Sequence, residues 1–130
     1  MIVVDSNIIA YLYLPGAFTV AAEKLLNDEP EWAAPVLWRS EFRNILAGYF
    51  RRGDLTLSQA KAIQCEAEAL LAGNEYDVES DAVFELVQST NCSAYDCEFI
   101  ALARKLGLQL ITMDGKLLKA FPEIAASLAN

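Results

Sequence analysis

Residues 1 to 7 read Met1-Ile2-Val3-Val4-Asp5-Ser6-Asn7, and residues 108 to 115 read Leu108-Gln109-Leu110-Ile111-Thr112-Met113-Asp114-Gly115. Each is a short apolar run that ends at an aspartate. A strand with one wet face alternates apolar and polar side chains, whereas runs this continuous fit parallel strands covered on both faces. Two weaker strand candidates, 31–34 and 75–78, lie between them among long stretches of helical period. Strands alternating with helices predict an α/β fold built on a parallel sheet.

The helical stretches are 18–27, 35–52, 57–71, 80–88 and 93–106, with a short helix over 116–120. Pro35 suits a first turn and Gly53 a stop, Thr56 or Ser58 an N-cap, and Gly73 and Gly107 helix ends. No repeat, low-complexity tract or Gly/Ser linker divides the chain, so residues 1–130 read as one domain. The longest apolar run, 8–14, is stopped by Pro15 and is too short to span a bilayer. The residues before Asp5 lack the basic and apolar regions of a secretory signal, so a cytoplasmic protein without membrane association is expected.

The 130 residues are 55% hydrophobic and 22% charged, enough for a sizeable core. Histidine is absent, which excludes Ser-His-Asp and Cys-His catalysis. Cys65, Cys92 and Cys97 are odd in number and without C-x-x-C spacing, so neither a disulfide framework nor a zinc site is expected. All three read as small buried residues. The formal charge of -8 has the wrong sign for a protein that holds nucleic acid by its surface field.

Carboxylates are therefore the groups left to carry chemistry. Asp5 and Asp114 follow the two strongest strands, on the sheet edge where open parallel sheets bind ligands. Aspartate there is also an ordinary N-cap or turn residue. Glu41 stands one turn after Leu37 and one before Ile45, at the margin of the apolar stripe of Trp38, Phe42, Ile45 and Tyr49. Its bland alternative is pairing with an arginine of the same helix. Asp96 shares the face of Ile100 and Ala103 in an otherwise apolar helix, and Glu98 points elsewhere. Acids favour helix N-termini on any face, which leaves the inward facing of Asp96 unexplained.

Clustered acids at a core margin repel one another and need protons, bases or metal ions. All-oxygen ligation suits Mg²⁺ and Mn²⁺. Such ions activate water and stabilise the leaving oxygen of a phosphodiester, so phosphodiester hydrolysis is the chemistry this inventory supports best.

Four stretches in order carry a resemblance: Val3-Val4-Asp5-Ser6-Asn7; Glu41-Phe42-Arg43-Asn44-Ile45-Leu46; Ser93-Ala94-Tyr95-Asp96-Cys97-Glu98; and Leu110-Ile111-Thr112-Met113-Asp114-Gly115. Together they resemble the PIN-domain ribonucleases, and among these the VapC-type toxins of prokaryotic toxin–antitoxin pairs. The resemblance implies a three-layer fold, a mostly parallel sheet of four to five strands between helices. It implies RNA cleavage with Mg²⁺ or Mn²⁺ at Asp5, Glu41, Asp96 and Asp114. Ser6, Asn7 and Thr112 match the family's supporting hydroxyls and amide, and Asn44 its E-x-x-N pattern. A homodimer and a cognate antitoxin are implied as partners beside the RNA. The antitoxin would reach the acidic groove with an arginine or dock on helices such as 18–27 and 57–71.

Arg51, Arg52, Arg104 and Lys105 fall in last turns, where they favour the helix dipole. Arg39, Arg43, Lys116 and Lys119 remain as candidate phosphate contacts, with solvated surface as the preferred reading. Two other functions stay open. One is a metal- or protein-binding module with little nuclease activity; the other is a receiver-like phospho-aspartate regulator, although no lysine ends the last strand.

Overall fold

The computed structural model describes residues 1–128. Its strands are β1 (Ile2–Val4), β2 (Trp32–Pro35), β3 (Glu75–Tyr76), β4 (Leu110–Ile111) and β5 (Ala125–Ala126). Its helices are α1 (Ser6–Tyr13), α2 (Thr19–Asp28), α3 (Trp38–Arg51), α4 (Leu57–Leu70), α5 (Ser80–Ser89), α6 (Ala94–Leu106) and α7 (Gly115–Ala120). The strands form one sheet in the order β3-β2-β1-β4-β5, and every neighbouring pair is parallel. This is the expected α/β architecture, with the helices flanking the sheet. A receiver-like domain uses the order 2-1-3-4-5, so the strand order removes that reading.

β1 lies at the centre because it can tolerate no wet face: Ile2, Val3 and Val4 are all buried. Helix α6 packs on β1, β2 and β4. Phe99, Ile100 and Leu102 on it are at most 1% exposed, each worth about 1.5–3 kcal/mol of burial. That packing fixes the helix which carries Asp96. Its ends are equally defined. Ser93 caps the start by accepting from the Asp96 N–H. At the end Gly107 takes the left-handed conformation, φ 67°, while Leu108 N donates to Ala103 O and Gly107 N to Arg104 O, a Schellman closure. Thr56 likewise caps α4 in a reciprocal box with Gln59.

Three local expectations change. Pro35 ends β2 instead of opening a helix. Ala34 N and Val36 N donate toward β3, so Pro35 faces the β1 side, where the ladder has already ended and no N–H is needed. The run 8–14, read only as apolar, belongs mostly to α1, although its β-branched and aromatic residues are mediocre helix formers. Burial decides there, since Ile8 and Ile9 are fully enclosed. Finally, β5 has no apolar strand signal; Leu110 N donating to Ile124 O and Thr112 N to Ala126 O create it. Among the described residues no helix is long and apolar enough to cross a membrane.

Cys92 and Cys97 are buried as expected, but Cys65 is exposed on α4. A helix face turned outward leaves it in solvent.

Candidate active site

The chain runs from β1 to β2 on one side, while β4 pairs with the other edge of β1. The switch point of the sheet thus falls between β1 and β4, where open α/β sheets leave a crevice at the strand C-termini. Asp5 follows β1 and Asp114 follows β4 at that crevice. Glu41 of α3 and Asp96 of α6 close it, and all four acids line one cleft with Ser6, Asn7, Asn44 and Ile45. Its volume is about 250 Å³, room for roughly eight waters at ~30 Å³ each.

Asp5 is 8% exposed, and both its oxygens are occupied. One accepts from the Ser6 N–H at 2.7 Å, the other from the Thr112 hydroxyl at 2.7 Å. Asp5 is therefore the N-cap of α1, and Asp114, accepting from the Lys116 N–H at 2.9 Å, is the N-cap of α7. The bland reading of both aspartates is true, and it also aims them. Capping uses one lone pair per oxygen, and a carboxylate oxygen has two.

Two buried hydroxyls tie the acids together. Thr112 accepts from the Asp114 N–H at 3.0 Å and donates its own O–H to Asp5. Ser6 donates its hydroxyl to Glu41 Oε1 at 2.8 Å while its N–H holds Asp5. Asn7 and Asn44 stand exposed at the rim.

Burial is the main cause that lifts Asp5, Glu41 and Asp96 above the ordinary carboxylate range. The Thr112 and Ser6 hydrogen bonds oppose it at Asp5, and the charges of Asp96 and Asp114 reinforce it. Glu41 feels Asp5, Asp96 and Glu98, and Asp96 feels Asp114. Glu98 turns away from Asp96, as expected, into a neighbouring cleft with Tyr76, Val83 and Phe84. Its influence on Glu41 escaped the sequence reading; its place two residues after Asp96 on a buried helix was the available signal.

Among the described residues no three acids converge closely enough to close on one ion as they stand. The donor set nonetheless fits a hard divalent cation. It is all oxygen, partly desolvated and unneutralised, and Mg²⁺ keeps several waters that bridge such gaps. Zinc is a poor fit, since neither histidine nor cysteine lines the cleft.

Arg39 lies at the surface as expected, its side chain 37% exposed, but it is also committed within the chain. It grips Glu75 through two nitrogens at 2.6 and 2.7 Å and Glu68 through a third at 2.9 Å. Trp38 Nε1 adds a bond to Glu75 at 2.7 Å.

The model of the PIN domain matches residues 2–123. The chain belongs to the PIN-domain family. Ribonuclease VapC3 from Pyrobaculum aerophilum is 32% identical over 95% of this chain and 96% of its own length. Among solved structures, PAE2754 from Pyrobaculum aerophilum superposes with a TM-score of 0.78 at 20% identity, covering 97% of this chain and 87% of that one. A toxin–antitoxin complex from Klebsiella pneumoniae gives 0.70 at 18% identity, over 100% and 99% of the two chains. Both share the fold of this PIN domain.

Proposed function

We propose that this PIN domain, residues 1–130, is a metal-dependent endoribonuclease and the toxin of a toxin–antitoxin pair. The observation that carries the reading is the convergence of Asp5, Glu41, Asp96 and Asp114 on one cleft, in a chain related to a ribonuclease VapC. Asp5, Asp96 and Asp114 would hold the principal Mg²⁺ or Mn²⁺, and Glu41 would contact a second ion or orient the attacking water. Bound there, the ion supplies an acidified water and positive charge for the leaving oxygen of an RNA phosphodiester.

The chain's own contribution is orientation. Thr112 holds Asp5 and Ser6 holds Glu41 by hydroxyl bonds that keep each carboxylate in one rotamer. Asn7 and Asn44 offer uncharged amide donors at the rim, able to meet phosphate oxygens without competing for the ion. The protein acts in the cytoplasm as a homodimer restrained by an antitoxin. The antitoxin neutralises the acidic cleft with an arginine and anchors on the apolar face of Leu46, Phe50, Leu57 and Ala60 between α3 and α4.

The test is Asp5→Asn and Asp96→Asn singly, assayed on RNA with Mn²⁺ beside calorimetric titration of the ion. Both variants should lose cleavage; undiminished cleavage in both removes the proposal. The charge of -8 favours one rival, a binding module without turnover. Mn²⁺ uptake with no cleavage of any RNA pool would select it.

A further inference from the structure

An acidic protein that cuts RNA needs some place where the polyanion is welcome, and the cations are unevenly committed. Lys24 is paired with Asp28, Arg39 with Glu68 and Glu75, and Arg52 with Asp54. Arg43 folds back on the Arg39 carbonyl and the Ser40 hydroxyl, and Arg104 lies over the Phe121 ring. Lys116 and Lys119 of α7 make no ion pair among the described residues, and neither do Arg51, Lys61 and Lys105.

Lys116 and Lys119 line a cleft with Ser89, the last residue of α5, and Thr90 and Asn91 of the turn between α5 and α6. No acid lines it. The four other principal clefts each carry at least one aspartate or glutamate. The helix dipole accounts for Lys119, in the last turn of α7, but a cation in the first turn, where Lys116 stands, gains nothing from it. The cleft also adjoins the carboxylates. The Lys116 N–H is bonded to Asp114, and the Lys116 charge is felt at Asp96. A strand laid across the acids therefore meets this positive, hydroxyl- and amide-lined patch next.

We propose that the cleft between the α5–α6 turn and α7 seats a phosphodiester of single-stranded RNA flanking the scissile one, held by Lys116 and Lys119 with Asn91 as a neutral donor. The inference rests on the ribonuclease reading. The contact goes to the backbone, so it positions the strand without reading its sequence.

The test uses Asp5→Asn protein, in which asparagine still caps α1, with or without Lys116→Gln/Lys119→Gln, and fluorescent single-stranded RNA of mixed sequence. Anisotropy is followed across a salt series with Mg²⁺ present. Loss of this one phosphate contact should flatten the log–log salt slope by about 0.7, the value per neutralised phosphate for single strands. Lys116→Arg/Lys119→Arg should restore the slope, and Lys61→Gln/Lys105→Gln should leave it alone. An unchanged slope, an equal loss in the control pair, or no RNA binding by the parent protein overturns the proposal.

Cleavage by otherwise wild-type protein, read in parallel, separates this from the nuclease claim. The lysine variant should raise KM and keep kcat. Cleavage with slope and KM both unmoved discards the phosphate seat alone. Slope loss without any cleavage discards the nuclease and keeps a backbone-binding cleft.

Discussion

Helix α3 carries Arg39 and Glu41 two residues apart, and the acids grouped around them are treated in opposite ways. Glu75 and Glu68 meet Arg39, and Glu75 also meets the Trp38 indole. The Arg39 hydrogen bonds hold the Glu75 carboxyl below its ordinary value. Across the helix, Asp5, Glu41 and Asp96 line one cleft, with the Thr112 hydroxyl on Asp5 and the Ser6 hydroxyl on Glu41, and burial pushes all three upward. One group is closed within the chain. The other has no ion-pair partner among the described residues, and that difference is what leaves it open to the cation proposed above.

The largest effect should come from breaking the open group at its ligands. Asp5→Asn or Asp96→Asn is expected to reduce RNA cleavage by more than about 100-fold, since merely disturbing a ligand's support costs ~10–100-fold. The same single change at Glu75 should leave the rate per folded molecule unaltered. Single-turnover kinetics on one RNA checks both.

Next comes the response to metal. Saturating Mn²⁺ should stabilise the wild type by about 2.7 kcal/mol at 100 times its Kd, seen as a rise in Tm, with little rise in Asp5→Asn. Chelation should reverse it. Equal stabilisation of both proteins would place the ion elsewhere.

Thr112→Val tests the hydroxyl that joins Asp5 to Asp114. It removes a donor to a buried carboxylate and an acceptor for the Asp114 N–H, at a cost of about 1–3 kcal/mol. Denaturant unfolding measures that, and Thr112→Ser should recover most of it.

The smallest effect is the pH profile, where the two groups have opposite signs. The raised carboxyls bind protons more tightly folded than unfolded, so the metal-free protein gains stability as pH falls from neutral toward their ordinary values of 3.8 and 4.5. Glu75 contributes stability above its ordinary 4.5, lost as pH falls through its lower folded value. Thermal melts without metal should therefore peak at mildly acidic pH. Mn²⁺ should move the peak toward neutral, and Arg39→Gln should blunt the decline on the acid side.

What the sequence disclosed follows from the range of the interactions. β1, β4, the Thr56 cap and the Gly107 closure are written in neighbouring residues, as was the inward face of Asp96. The α1 run carried an ambiguous signal, because a short apolar stretch fits strand or helix until its cap and its burial are known. The hydroxyl bridges could not be read at all. Thr112 and Asp5 are 107 residues apart and Ser6 and Glu41 are 35 apart, so their pairing exists only in the fold. For the same reason the ion pairs of Arg39 could not be read, its partners Glu68 and Glu75 lying 29 and 36 residues away.

The bond from Thr112 to Asp5 spans nearly the whole chain, and that separation has a bearing on synthesis. A growing polypeptide acquires β1, α3 and α6 in turn, but the cleft gains its last wall only after β4 has emerged and paired with β1. Until then the first three acids are present without the fourth. On the ribonuclease reading, a nascent chain therefore lacks the complete set of four carboxylates until β4 has emerged and paired with β1.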